Sequence, residues 1–174
     1  MKKYMKKFVA NVTIMTIFGL SSIVAFAQQG NTGKVTFSGD VVESPCNLAP
    51  GQDGTDIKVP FGQLSMARLN DGKVFTKDFH INLQDCDLGN KKAQITFSST
   101  DLITGKNLLG TRGSATGLGL GLSGIVFNTP ANVPLLPKGD NTLTYTVTAQ
   151  RVDNSKAVTA GTFQSIANFL ISYQ

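Results

Sequence analysis

"GKVTFSGDV", residues 33–41, reads as a β-strand with one oddity. Val35, Phe37 and Val41 share one face, while Lys34, Thr36, Ser38 and Asp40 occupy the other, the period of two that a pleated chain imposes. Gly33 and Gly39 fall on the apolar face. Glycine weakens a strand interior and often marks a point where a second backbone comes very close. This stretch therefore raises the question of what it lies against, and the answer decides how the remaining strands close.

The residues before it set the compartment. "MKKYMKKF" carries four lysines and no acid, "VANVTIMTIFGLSSIV" is apolar, and Ala25 and Ala27 form a small-residue site. A basic start, a short apolar run and an A-x-A site read as a secretory signal peptide, residues 1–27. The competing reading, a membrane anchor, is weaker, because the run contains Asn11 and Gly19 and is barely long enough to span. Removing the first 27 of 174 residues leaves 147, enough for one domain. Four of the 16 basic residues leave with the leader, so 12 face 11 acids and the net charge falls to about +1.

Cys46 and Cys86 are the only cysteines. In an exported chain the simplest outcome is one disulfide between them, worth about 4 kcal/mol on a chain-entropy estimate. With a single His, the composition does not supply a zinc site, and no cofactor is expected.

Beyond Cys46 the pattern is short strands and turns. "KDFHINLQDC" sets Phe79, Ile81 and Leu83 against His80, Asn82 and Gln84; "AQITFSS" and "TLTYTVTAQ" alternate in the same way. In "TFQSIANFLISYQ", Phe163, Ala167, Phe169, Ile171 and Tyr173 share a face. Strands are expected near 35–44, 57–61, 78–85, 93–99, 117–127, 142–150 and 162–173, with at most one helical turn at "LSMARL". Turn signals such as "PGQDGT", "NDGK" and "KGDN" separate them. Many short strands with one polar face predict an all-β, antiparallel, immunoglobulin-like sandwich. Such a sandwich needs about seven strands. Spending the first outside its own domain leaves it incomplete, with an open edge that a second chain can fill.

Several motifs fail on their context. "GLGLSG", residues 119–124, matches a dinucleotide-binding pattern but lacks the following helix and acid. Leu118, Leu120 and Leu122 alternate with glycines there, giving a strand with a bulky face and a bare one. His80 lies on a polar strand face, Glu43 is the only Glu, and no nucleophile constellation surrounds either. The protein is therefore not expected to be an enzyme. Lysines are scattered among acids without a basic stripe, so nucleic acid is not an expected partner.

Taken together, these residues resemble a known family, the chaperone–usher pilus (type 1/P-type fimbrial) pilin subunits. The resemblance rests on "VTFSGDVVESPC", "VPFGQLS" at 59–65, "FHINLQDC" ending on the second cysteine, Gly161 fourteenth from the end, and Tyr173 in the penultimate position. It implies an incomplete immunoglobulin-like sandwich completed by a donor strand from a neighbouring subunit. It implies a donor-strand extension at residues 28–41 followed by a pilin domain at 42–174. Gly39 would let the donor backbone press into a shallow part of the neighbour's groove, flanked by Val35, Phe37 and Val41. Gly161, Phe169, Ile171, Tyr173 and the Gln174 carboxylate would form the acceptor groove and the contact with a chaperone. The implied partners are other pilin subunits, a periplasmic chaperone and an outer-membrane usher, and the route runs through the periplasm to a cell-surface fimbrium that supports adhesion. Many shaft pilins carry F-x-A-x-Y where this chain reads "LTYTVTAQ", which leaves shaft and adaptor positions both open. The alternative function is a secreted immunoglobulin-like adhesive module that does not polymerise.

Overall fold

The computed structural model describes residues 33–174. The signal peptide expected at 1–27, and the first five residues of the expected extension, lie outside the described residues. The chain divides into two units, Met1–Asp40 and Val41–Gln174. In the first, residues 33–40 form no strand, and the side chains of Val35 and Phe37 are exposed, Phe37 by 90%. The strand expected at 35–44 is thus absent from this single chain. An alternating segment has no ladder unless another strand supplies the hydrogen bonds.

The second unit is a two-sheet antiparallel sandwich. One sheet contains β1 (Asn47–Leu48), β2 (Phe75–Asp87), β4 (Leu109–Gly110), β5 (Leu118–Leu122) and β7 (Lys138–Arg151), in the order β1-β2-β7-β5-β4. The other contains β3 (Ala93–Ser98), β6 (Ala131–Val133) and β8 (Asn168–Tyr173), in the order β6-β3-β8. The long β2–β7 pairing runs from Phe75 opposite Ala149 to Asp87 opposite Lys138. The inward residues are the alternating ones: Ile81 and Leu83 from β2, Leu143, Val147 and Ala149 from β7, and Ala93, Ile95 and Phe97 from β3. Ile81 and Ile95, one from each sheet, are fully buried at the centre.

The register of β2 shifts between Leu83 and Cys86, and Asp85 there has φ 51°. Strict alternation after Ile81 and Leu83 would turn Asp85 inward and Cys86 outward. The bulge inserts a step that reverses this, so Cys86 is buried and bonded to Cys46, 40 residues earlier. The Asp140 carboxylate accepts the Asp85 N–H at 3.1 Å, steadying the exposed turn of the bulge.

Four further expectations change. The segment at 57–61 forms no strand, although its burial alternates, with Ile57, Val59 and Phe61 half-buried. The expected strand 117–127 ends at Leu122, and 162–173 is regular only from Asn168, with an isolated bridge between Arg112 and Gln164. The glycine face of β5 is not bare. A Cβ at Gly119 would lie 3.0–3.3 Å from side-chain carbons of Val152, Ile103 and Leu108, so the glycines admit a covering loop. The expected helical turn is α1 (Met66–Asn70), where the Ser65 hydroxyl accepts the Arg68 N–H and Leu69 is buried.

Candidate functional site: an open groove beside the last strand

Strand β8 pairs on one side only. Its neighbour is β3, with Ala93 opposite Tyr173 and Ser98 opposite Asn168. Lys92 and Gln174 exchange both backbone hydrogen bonds, at 2.7 and 2.9 Å. Antiparallel ladders alternate bonded and non-bonded pairs. The bonded residues of β8 are therefore Ser172, Leu170 and Asn168, and the N–H and C=O groups of Phe169, Ile171 and Tyr173 point the other way. Among the described residues no strand takes them. The same three residues turn their side chains toward the core. The last strand thus presents an apolar row and a free backbone row together.

Beside this edge and the segment leading to it lies a groove of about 1370 Å³. One wall is the segment 55–64 and the other is 158–169, with a floor that includes Leu118, Leu120, Leu122 and Val147. The second wall is tied along its outer side. Thr162 C=O accepts from Ala115 N–H at 3.0 Å, Arg112 and Gln164 exchange bonds at 2.8 Å, and the Ser165 hydroxyl donates to Gly110 C=O at 2.8 Å. Arg112 is itself anchored by a two-bond pair to Asp101 at 2.8 Å, and its guanidinium holds the Asp101 carboxyl below the usual carboxylate range. The first wall is held by the Gln52 carboxamide, which donates to Lys58 C=O and accepts from Lys58 N–H, both at 2.9 Å. The walls touch where the Phe61 and Phe163 rings stand 6.0 Å apart.

At the far end, Phe79, Phe97, Tyr145 and Phe169 form an aromatic cluster, with Phe97 edge-on to Tyr145 at 5.0 Å and 6.1 Å from Phe169. Burial there pushes the Tyr145 phenol up to about 12. Burial also raises Tyr173, opposed by a hydrogen bond with Ser44.

Of the residues singled out from sequence, Gly161 and Phe169 line the groove, whereas Ile171, Tyr173 and Gln174 continue along the free edge beyond it. A side chain at Gly161 would strike the backbone of Ser114 and Ala115, so this glycine lets the wall lie flat on its neighbour. Val35, Phe37, Gly39 and Val41 stand exposed, with nothing within 4 Å of a Cβ built on Gly39. Sequence reasoning missed the pairing of Phe61 with Phe163 and the role of 55–64 as a wall. The alternation of Ile57, Val59 and Phe61 was the available signal, and it registers burial without a ladder. His80 is exposed and shares a hydrogen bond of 3.0 Å with Thr144 across the β2–β7 ladder.

An incomplete sandwich with an apolar groove along an unpaired strand leaves edge and apolar surface of the kind a second chain covers. A family model described as "Fimbrial protein" matches residues 35–174. The chain belongs to this family. Among its relatives, the Fimbria A protein of Serratia marcescens is 34% identical, covering 90% of this chain and 92% of that one. The PRS fimbrial major pilin protein of Escherichia coli is 36% identical, covering 85% and 98%. Among solved structures, a chaperone–usher pilus rod superposes with a TM-score of 0.74 at 30% identity, covering 84% of this chain and 98% of that one. The P pilus rod subunit PapA gives a TM-score of 0.67 at 29% identity, covering 75% and 100%. This fimbrial protein is a structural, non-enzymatic subunit of a cell-surface pilus, with an incomplete immunoglobulin-like fold. The reading as a non-polymerising adhesive module is not favoured.

Proposed function

We propose that this pilin polymerises by donor-strand exchange, residues 33–41 of one copy filling the groove of the next. The observation that carries the reading is the free backbone row of Phe169, Ile171 and Tyr173 beside an open apolar groove. An extended peptide completes such an edge by adding a strand, its main chain supplying hydrogen bonds and alternate side chains filling pockets. Residues 33–41 have the matching form: exposed, alternating, and interrupted by Gly39 where a bulky side chain would hold two backbones apart. On this reading residues 1–27 are a cleaved signal peptide, 28–41 the extension and 42–174 the pilin domain. Ile171, Tyr173 and the Gln174 carboxylate form the contact with a periplasmic chaperone, which covers the edge until an outer-membrane usher exchanges it during export. Relatives described as major pilins, and likeness to rod subunits, support a shaft position.

Mixing purified chaperone-bound subunits tests donor against acceptor. Gly39→Leu adds bulk where two backbones approach, and overpacking costs about 1–3 kcal/mol. That variant folds, accepts a wild-type donor and fails to donate. Phe169→Asp buries an unpaired carboxylate, costing several kcal/mol, and loses chaperone binding. Should Gly39→Leu fail to fold while surviving protein still donates, the segment belongs to its own domain and the proposal is wrong.

A further inference from the structure

We infer that Asn70 is a positioning residue for donor-strand uptake, its carboxamide setting the spacing of the two groove walls at the end where they converge. The inference rests on the groove's being the acceptor site proposed above. Asn70 closes α1, the helix that continues the first wall. Its Oδ1 accepts the Val158 N–H at 2.7 Å and its Nδ2 donates to the Val158 C=O at 3.1 Å. The amide thus imitates a strand neighbour for Val158, a buried groove-lining residue at the start of the second wall. Arg151 locks the joint from behind, donating to the carbonyls of Asn70 at 3.0 Å, Lys156 at 2.8 Å and Asn154 at 2.5 Å.

Two other asparagines make the same paired bond. Asn107 bonds the Ile125 C=O and Phe127 N–H, and Asn141 bonds the Leu136 N–H and C=O. Those two close connections between 5 and 20 residues long. Asn70 spans 88 residues and joins opposite walls. The walls run in opposite directions, with α1 meeting Val158 and Phe61 meeting Phe163. Each wall is fastened to its own neighbours, but among the described residues the Asn70 bracket is the hydrogen-bonded link from one wall to the other, so it fixes groove width at that point. A groove of fixed width spares the entering strand the work of ordering its walls.

Two measurements test this on the mature full-length subunit at nanomolar concentration: anisotropy of a fluorescent peptide of residues 28–42, and amide hydrogen exchange across 158–164. Asn70→Ala is expected to weaken peptide binding about tenfold and to speed exchange in that segment. Asn141→Ala, which removes an equivalent paired bond away from the groove, should lose stability with peptide binding changed less than about twofold. Asn70→Asp keeps the acceptor for Val158 N–H but loses the donor, and should fall between. It carries the comparison if Asn70→Ala does not fold. Equal weakening by the Asn70 and Asn141 variants, or unchanged exchange across 158–164, overturns the inference. A wild-type subunit that ignores the peptide instead overturns the acceptor reading, and the exchange data alone then decide whether Asn70 holds the wall.

Discussion

Tyr145 shows how a single position reports the state of the groove end. It stands opposite Phe79 in the β2–β7 ladder and packs on Phe97, so its ring belongs to both sheets. Burial disfavours the phenolate, raising the folded pKa to about 12 from an ordinary 10. The unfolded chain therefore releases this proton first as pH rises. The stabilising difference is intact below pH 10 and is lost progressively between about 10 and 12. Half-exposure of the ring moderates its size. Thermal unfolding followed from pH 8 to 11.5 should show the melting temperature falling above 10, and less steeply in Tyr145→Phe. An identical alkaline decline in both proteins would mean the ring is solvated.

At the scale of elements, the β2 bulge and the disulfide are one device. The alternation of Phe79, Ile81 and Leu83 predicts Cys86 on the outer face, and only the register shift turns it inward to reach Cys46. Because Cys46 stands just before β1, the bond pins the start of the domain to β2, one strand of the longest ladder. Replacing both cysteines with Ser should lower the stability of the peptide-filled subunit by about 2–5 kcal/mol in chemical denaturation. Mass spectrometry of unreduced protein should find no free thiol. Two free thiols in the exported subunit would remove the crosslink from the account.

For the molecule as a whole, an uncapped β8 edge and an open groove are hazards as well as tools, since unpaired strand edges template association. The mature chain produced alone should aggregate at micromolar concentration, and a peptide of residues 28–42 should return it as a soluble monomer in size-exclusion chromatography. A monodisperse, cooperatively folding monomer without peptide would contradict an incomplete sandwich.

The sequence alone determined what depends on local period and composition. Strand identity in β2, β3 and β7, the helical turn of α1 and the unusual first segment follow from side chains two residues apart or from turn chemistry, and the cysteine pair follows from there being two cysteines in an exported chain. Tertiary structure decided what depends on partners distant in the chain. The segment 57–61 carries a strand's alternation yet has no ladder, because the residues opposite it line the far side of a groove. Gly119 reads as bare in sequence but receives a loop, since only packing reveals what approaches a missing Cβ. Asn70 looks like an ordinary helix end until Val158, 88 residues away, is brought to its amide. Hydrogen-bond partners so far apart leave no periodic trace, because pattern records which face a residue shows and not what meets it.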